Sequence, residues 1–285
     1  MKTHKAIALF SGGLDSILAV KWMQSKGYAV HPVFFKAPYL LPERAINYAA
    51  KNAIDLEVID VSEEHIKLLD NPVYGFGKGL NPCIDCHGFM FKKAAELMPD
   101  RDADYLISGE VLGQRPKSQK RNALNNVSKL SGVKDLIVRP LSQNLLPDTL
   151  PLREGWIAKK DMLSIQGRGR LAQLALAEEL GIIDFPSPAG GCLLTDRNYC
   201  LRLQDLKKHQ QDDLHSINLL AYGRHFRLTD EVKLIIGRDE AENETLKNIF
   251  REGLMLQAQD YMGPLGFITG KLNFATLDLA LAIFI

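Results

Sequence analysis

A six-residue turn, Ser11-Gly12-Gly13-Leu14-Asp15-Ser16, constrains what this chain can fold into more than any other stretch. The apolar residues 6–10 before it read as a buried strand, and residues 17–23 after it read as a helix. Two glycines permit a tight turn and close approach of a ligand, and the unpaired N–H groups of the first helical turn favour anions. The pattern predicts a phosphate cradle. Spacing excludes two alternatives: a Walker loop needs a lysine after its second glycine, and a dinucleotide fingerprint needs a third glycine where Ser16 stands. The blander reading is a Gly-Gly turn with Asp15 capping the helix.

Downstream, Gly27 suits a helix C-cap, residues 29–35 a second strand, 43–52 a helix and 56–60 a third strand. This βαβαβ rhythm implies a parallel sheet with helices on its faces, and ligands in such sheets bind beyond the carboxyl ends of the strands. Residues 105–108 form a fourth strand whose following glycines, Gly109 and Gly113, lie on the same rim, and residues 136–138 form a fifth. Hydrophobic residues make up 46% of the chain, ample for a packed core. There is no run of about 18 apolar residues and no secretory leader, so a cytoplasmic protein without membrane contact is expected.

Four cysteines in such a compartment point to metal binding or catalysis before disulfides. Residues 71–82 are rich in Pro and Gly and deliver Cys83-Ile84-Asp85-Cys86, with a helix expected over 87–98. A Cys-x-x-Cys at a loop-to-helix junction presents both sulfurs on one side, near helix-terminal N–H groups that favour thiolate. Nothing around it has a thioredoxin-like context. The Pro/Gly-rich segment 185–196 carries Cys192 on turning backbone, whereas Cys200 falls in a helical pattern with Leu201, Leu203 and Leu206 and reads as a core residue. The histidines are scattered and mark no site.

Net charge is only +1, so a nucleic-acid partner must be met by local patches. Arg115, Lys117, Lys120, Arg121, Lys129, Lys134 and Arg139 stand against one acid, Asp135, beside the predicted ligand rim, which favours phosphate-backbone contact over a merely solvated face. Arg168 and Arg170, on glycine-flexible backbone before a helix over 171–180, suit phosphate contact or a plain helix entry. A first domain is expected over 1–197 and a small α+β domain over 198–285, where Arg224, Arg227, Lys233 and Arg238 suggest a mild basic face. The apolar residues 277–285 either dock into a core or end in mid-element.

Ser11-Gly12-Gly13-x-Asp15-Ser16 resembles the PP-loop of the ATP pyrophosphatase superfamily. With Asn81-Pro82-Cys83-x-x-Cys86 and Gly190-Gly191-Cys192-Leu193-Leu194-Thr195, the chain resembles the PP-loop tRNA sulfurtransferases, the 2-thiouridylases and 4-thiouridine synthases. Residues 223–228 and 236–243 are similar to the small RNA-binding module of the NFACT type. The resemblance implies a PP-loop α/β fold, tRNA as partner, and ATP bound by Ser11, Gly12, Gly13, Asp15, Ser16 and Gly109. It also implies Mg2+ placed by Asp15, and RNA contacts through Arg115, Lys117, Lys120, Arg121, Arg168 and Arg170. A uridine oxygen would be adenylated and sulfur would then displace AMP. Cys83, Cys86 and Cys192 would either ligate a 4Fe-4S cluster or work through a persulfide on Cys86 or Cys192 resolved by the other. A structural zinc site including His87 is the third option. A sulfide, sulfur-carrier or cysteine-desulfurase donor is implied, and a homodimer is allowed. No THUMP-like, rhodanese-like or long barrel domain is recognisable, so tRNA recognition falls to the C-terminal module or a partner. The rivals are an amide- or guanidine-forming PP-loop ligase and a non-catalytic RNA-binding protein.

Overall fold

The computed structural model describes residues 4–188, 191–260 and 262–285. Two compact units divide the chain, Met1–Cys192 and Leu193–Ile285. The first runs β1 (Lys5–Leu9), α1 (Leu14–Ser25), β2 (Ala29–Lys36), α2 (Glu43–Lys51), β3 (Glu57–Asp60), α3 (Ser62–His65), α4 (Cys83–Leu97), β4 (Tyr105–Ser108), α5 (Arg121–Leu130), β5 (Ile137–Val138), α6 (Leu150–Arg153) and α7 (Leu171–Glu179). The strands form one parallel sheet in the order β3-β2-β1-β4-β5.

β1 is central, and its alternation builds two cores. Ala6 and Ala8 face a cluster with Ile17 and Leu18 of α1 and Leu176 of α7, while Ile7 faces Phe91 and Ala94 of α4 and Val127 of α5. Small alanines on one face and a β-branched residue on the other let helices cover both sides, as a parallel sheet requires. Each fully buried aliphatic side chain here contributes roughly 1.5–3 kcal/mol against exposure. The chain leaves β1 in opposite lateral directions to reach β2 and β4. Loops after β1 and β4 therefore meet at the switch point where such sheets bind ligands.

Two elements differ from the sequence reading. α4 begins at Cys83, four residues before the expected start, because Pro82 supplies the N-cap position and the first-turn Asp85 takes up loop amides in place of water. The basic stretch contains a helix, α5, whose Ala123, Leu124 and Val127 are buried. Gly88 allows α4 and α5 to pack closely: a Cβ there would lie 2.5 Å from Leu130 Cβ.

The second unit comprises α8 (Arg197–Lys208), α9 (Leu214–Leu219), β6 (Arg224–Arg227), β7 (Lys233–Ile236), α10 (Glu240–Ile249), β8 (Leu254–Leu256), β9 (Gly266–Thr269) and α11 (Phe274–Phe284). Its antiparallel sheet has the order β6-β7-β9-β8. Leu234 and Ile236 pack with Ile268 and with Ala280 of α11, and Ile235 packs with Phe267 on the opposite face with Leu219 and Leu246. The apolar C-terminal run thus docks as a helix, started by an Asn273/Thr276 capping box. Cys200 is buried and its thiol donates to the Leu194 carbonyl at 3.1 Å. The expected basic face is largely neutralised: Arg227 and the buried Lys233 both reach Asp205, and Arg238 pairs with Glu242. Among the described residues no helix is long and apolar enough to cross a membrane.

Candidate functional site

The loop after β1 is held by its own short contacts. Gly13 takes an extended conformation as the N-cap of α1, with no side-chain cap, which sets aside Asp15 as the capping residue. The Ser16 hydroxyl donates to the Gly13 carbonyl at 2.8 Å and accepts from the Ser11 amide at 3.2 Å. The Ser11 hydroxyl lies 3.3 Å from that of Ser16 and accepts a 3.4 Å contact from the Gly13 amide. Gly12 has φ +71°, and a Cβ there would sit 2.6 Å from the Ala45 backbone of α2, so glycine is required on both conformational and steric grounds.

Gly109, directly after β4, closes the cradle from the other side. A Cβ at this position would lie 2.3 Å from the Asp15 carbonyl oxygen and 2.6 Å from the Ser16 nitrogen. One Asp15 carboxylate oxygen accepts from Gln114 at 2.7 Å, and Gln114 accepts from Gln173 of α7 at 2.6 Å. The other oxygen is buried with no hydrogen-bond partner. Burial pushes the Asp15 carboxyl up, with Arg170 and Arg115 among the groups that oppose the shift. An orphaned, buried carboxylate oxygen beside a phosphate cradle is a fit for Mg2+. The Arg170 Nε is also buried and without a partner. Arg170 is thus within electrostatic reach of Asp15, while Arg168 is exposed.

Two of the cysteines open α4, the helix that packs against β1 and β4. Cys86 is buried in α4, and Cys83 and Cys192 are half-buried; all four cysteines of the chain are thiols. Burial pushes the Cys86 thiol well up, and Cys192, Cys83 and Asp85 push it further. The three sulfurs are therefore within electrostatic reach of one another. Gly190 of the third cysteine element lies outside the described residues. The Cys83 thiol donates to Asn81 Oδ1 at 3.0 Å; burial raises it, and Arg115 and Lys117 partly offset that rise. The charge of the exposed Arg115 therefore favours the ionised form of both Asp15 and Cys83.

Among the described residues no group of three or more His, Cys, Asp or Glu side chains is arranged to hold a metal ion. His87 Nδ1 lies 2.9 Å from Glu110, which leaves Nε2 as the nitrogen that could face a metal, the usual orientation of a carboxylate-held imidazole ligand. Three thiols within electrostatic reach still match the donor chemistry of a 4Fe-4S cluster, whose cysteines stand farther apart than those around a single ion.

Several residues that hold the site have no motif. His65 is fully buried, its Nε2 3.2 Å from Cys86 Sγ and its Nδ1 2.6 Å from the Tyr39 hydroxyl, and burial lowers its pKa to about 4. Glu110 pairs with Arg139 at 2.8 Å, both buried, and with the half-buried His87. Burial would raise the Glu110 carboxyl, but Arg139 and His87 bring it down to about 2. Arg139, counted in the basic stretch, is thus a core residue; the exposed members are Arg115, Lys117, Lys120, Arg121, Lys129 and Lys134. Hydrophobic spacing could have flagged only Arg139, which directly follows the buried β5.

Residues 2–144 match the family model of thiamine biosynthesis protein (ThiI), and residues 223–285 match that of the NFACT protein RNA binding domain. No curated protein matches. Among solved structures, a 4-thiouridine synthetase in complex with RNA and bound ATP is similar at 18% identity and TM-score 0.42, over 75% of this chain. The chain spans 52% of that synthetase chain. A predicted subunit of a tRNA methyltransferase from Methanocaldococcus jannaschii is similar at 16% identity and TM-score 0.40, over 73% of this chain and 89% of that one.

Proposed function

The chain belongs to the family of thiamine biosynthesis protein ThiI, and from that premise we propose that it is an ATP-dependent tRNA sulfurtransferase of the cytoplasm. The observation that carries the proposal is the junction of two half-sites: Gly109 and Glu110, adjacent in sequence, touch the ATP-type loop and the cysteine helix respectively, and the charge of Arg115 favours the ionised form of both Asp15 and Cys83.

In the first half-reaction the cradle of residues 11–16 takes the β- and γ-phosphates of ATP. A uridine carbonyl oxygen attacks the α-phosphorus, the new P–O bond forms as the α–β anhydride bond breaks, and pyrophosphate leaves. Backbone N–H groups at the start of α1 and the cations Arg115 and Arg170 stabilise the charge on the leaving group. Mg2+ bound at Asp15 would neutralise part of that charge. In the second half-reaction sulfur adds at the activated ring carbon and the C–O bond breaks, so that AMP leaves with the former uridine oxygen. Sulfide as the donor makes this a displacement with no net oxidation.

Cys83, Cys86 and Cys192 serve the sulfur step. A 4Fe-4S cluster on these thiols would supply an iron without a protein ligand, at which sulfide can bind. A persulfide route on Cys86 and Cys192 is the alternative, favoured by the charge coupling between the two thiols. There the terminal sulfur of one persulfide is transferred, the second thiol forms a disulfide with the first, and an external dithiol reduces it. The C-terminal unit, similar to an RNA-binding domain, would supply further tRNA contact, and a sulfide or sulfur-carrier protein the sulfur.

The experiment that tests the function is mass spectrometry of tRNA nucleosides from cells with and without the gene. A thionucleoside lost with the gene and restored by its wild-type copy but not by Asp15→Ala supports the proposal, and an unchanged nucleoside profile overturns it. Iron and sulfide analysis of anaerobically purified protein separates the sulfur routes. Iron and a broad visible absorbance that depend on all three cysteines are expected; a colourless, iron-free, active protein overturns the cluster.

A further inference from the structure

The segment between α3 and α4 ends in an aromatic tip that the two half-reactions leave unused. Tyr74 and Phe76 are 37% and 36% exposed, and Val73 is 74% exposed. Three large apolar side chains in four residues normally mark a contact surface. This tip is also held in place. The buried carboxylate of Asp85, between the two cysteines of α4, accepts from the Val73 amide at 2.6 Å and the Tyr74 amide at 3.1 Å. The Gly77 amide donates to the Asn81 carbonyl at 2.6 Å, and Asn81 in turn accepts from the Cys83 thiol. Lys117 donates to the Phe76 carbonyl from the other side. The tip is thus tied at one end to the residue between the reactive cysteines and at the other to an exposed lysine of the basic stretch.

Charge decides what covers it. Arg115 and Lys117 are exposed and suit a polyanion, and because Lys117 holds the Phe76 carbonyl, phosphate contact and ring contact lie side by side. A uridine must leave its stack before its ring carbon can meet a sulfur, which strands the bases on either side of it. Exposed aromatic faces next to cations are what unstacked RNA bases occupy. We propose that Tyr74 and Phe76 form a stacking platform for an unpaired RNA base adjoining the target nucleotide, at the mouth of the site that contains Cys83. The inference rests on the tRNA reading above and adds to it a specificity surface in the first unit, separate from the C-terminal RNA-binding-like domain.

The test uses the full chain and unfractionated tRNA, with binding followed by fluorescence anisotropy over a range of salt concentrations. Tyr74→Ala and Phe76→Ala should each weaken binding about tenfold, with the salt slope unchanged, whereas Tyr74→Phe and Phe76→Tyr restore it. Lys117→Ala should instead lower the slope by about one. Each ring is also partly covered, so the melting temperature of each alanine variant is measured beside its binding, and the aromatic swaps Tyr74→Phe and Phe76→Tyr separate ring contact from fold. Wild-type binding combined with undiminished binding by both alanine variants overturns the platform and leaves the tRNA reading standing. The same result with loss of sulfur delivery from a carrier protein overturns it in favour of a protein contact. Absence of tRNA binding by the wild type overturns the tRNA reading itself, and the platform with it.

Discussion

Within the loop of residues 11–16, hydroxyl contacts span two to five residues, whereas those that fix the cysteine helix, His65 to Cys86, His87 to Glu110 and Glu110 to Arg139, span 21, 23 and 29. The loop also works mainly with backbone groups of a turn that nearby glycines permit. The cysteine site works with side chains, and its anchor is a buried ion pair. The turn of the first half-site is therefore built within β1 and α1, and Gly109 and Gln114 complete it from beyond β4. The second exists only when β4, β5, α4 and α5 have all been placed. A perturbation should stay local when it begins in the loop and spread when it begins in the ion pair.

Gly109 offers the sharpest break of this contrast, because it strikes the local half-site from a distant strand. In Gly109→Val the new Cβ would lie 2.3 Å from the Asp15 carbonyl oxygen, and backbone on both sides leaves no flexible group to yield. A displacement of about 1 Å in a positioning element can cost on the order of 100-fold in rate. Pyrophosphate release is expected to fall at least that far, while alkylation of Cys83 remains as in the wild type. Pyrophosphate release at the wild-type rate would mean that the two half-sites are independent at this junction.

Glu110→Ala removes one partner of the buried pair and leaves Arg139 charged in the core. Breaking such a pair costs about 3–5 kcal/mol, mostly from the charge left unpaired. Urea unfolding should register a loss of that size, and Glu110→Ala combined with Arg139→Met should recover much of it. Additive losses in the double variant would remove the ion pair as the anchor. The same residue predicts a pH dependence. Glu110 has an ordinary value of 4.5 and is held at about 2 in the folded protein, so it binds protons less readily when folded. Its stabilising contribution is complete above about pH 4.5 and is lost as the pH falls toward 2. The acid limb of stability should flatten in Glu110→Gln.

These effects also explain how much of the molecule was legible in the sequence. The parallel sheet, its ligand rim and the loop follow from periodicity and from glycines close in sequence, and the C-terminal part reads as a small α+β domain, whereas its antiparallel strand order is visible only in the structure. The start of α4 was missed because Asp85 spends its carboxylate on amides of Val73 and Tyr74, a choice invisible without the loop's path. Arg139 looked like one more cation in a basic run, because only the fold brings Glu110 to it. His65 looked unremarkable for the same reason: its partners Tyr39 and Cys86 are 26 and 21 residues away. The C-terminal basic face is smaller than its sequence suggests, because Asp205 neutralises two of its members from a different element.

The smallest effects are expected inside the loop, and their ranking is a test in itself. The Ser16 hydroxyl makes the short 2.8 Å bond to the Gly13 carbonyl and accepts from the Ser11 amide, so Ser16→Ala loses a bond and leaves a backbone donor without its partner. A net loss of about 1 kcal/mol in unfolding free energy follows. The Ser11 hydroxyl has only contacts of 3.3 and 3.4 Å, too long to hold the turn together, and Ser11→Ala should leave stability almost unchanged. If the contacts of Ser11 are reserved for phosphate, that variant should still raise the KM for ATP several-fold in pyrophosphate release assays. A Ser11→Ala protein that is less stable than Ser16→Ala but binds ATP normally would reverse the assignment, making Ser11 a structural residue of the turn and Ser16 the one free to meet the nucleotide.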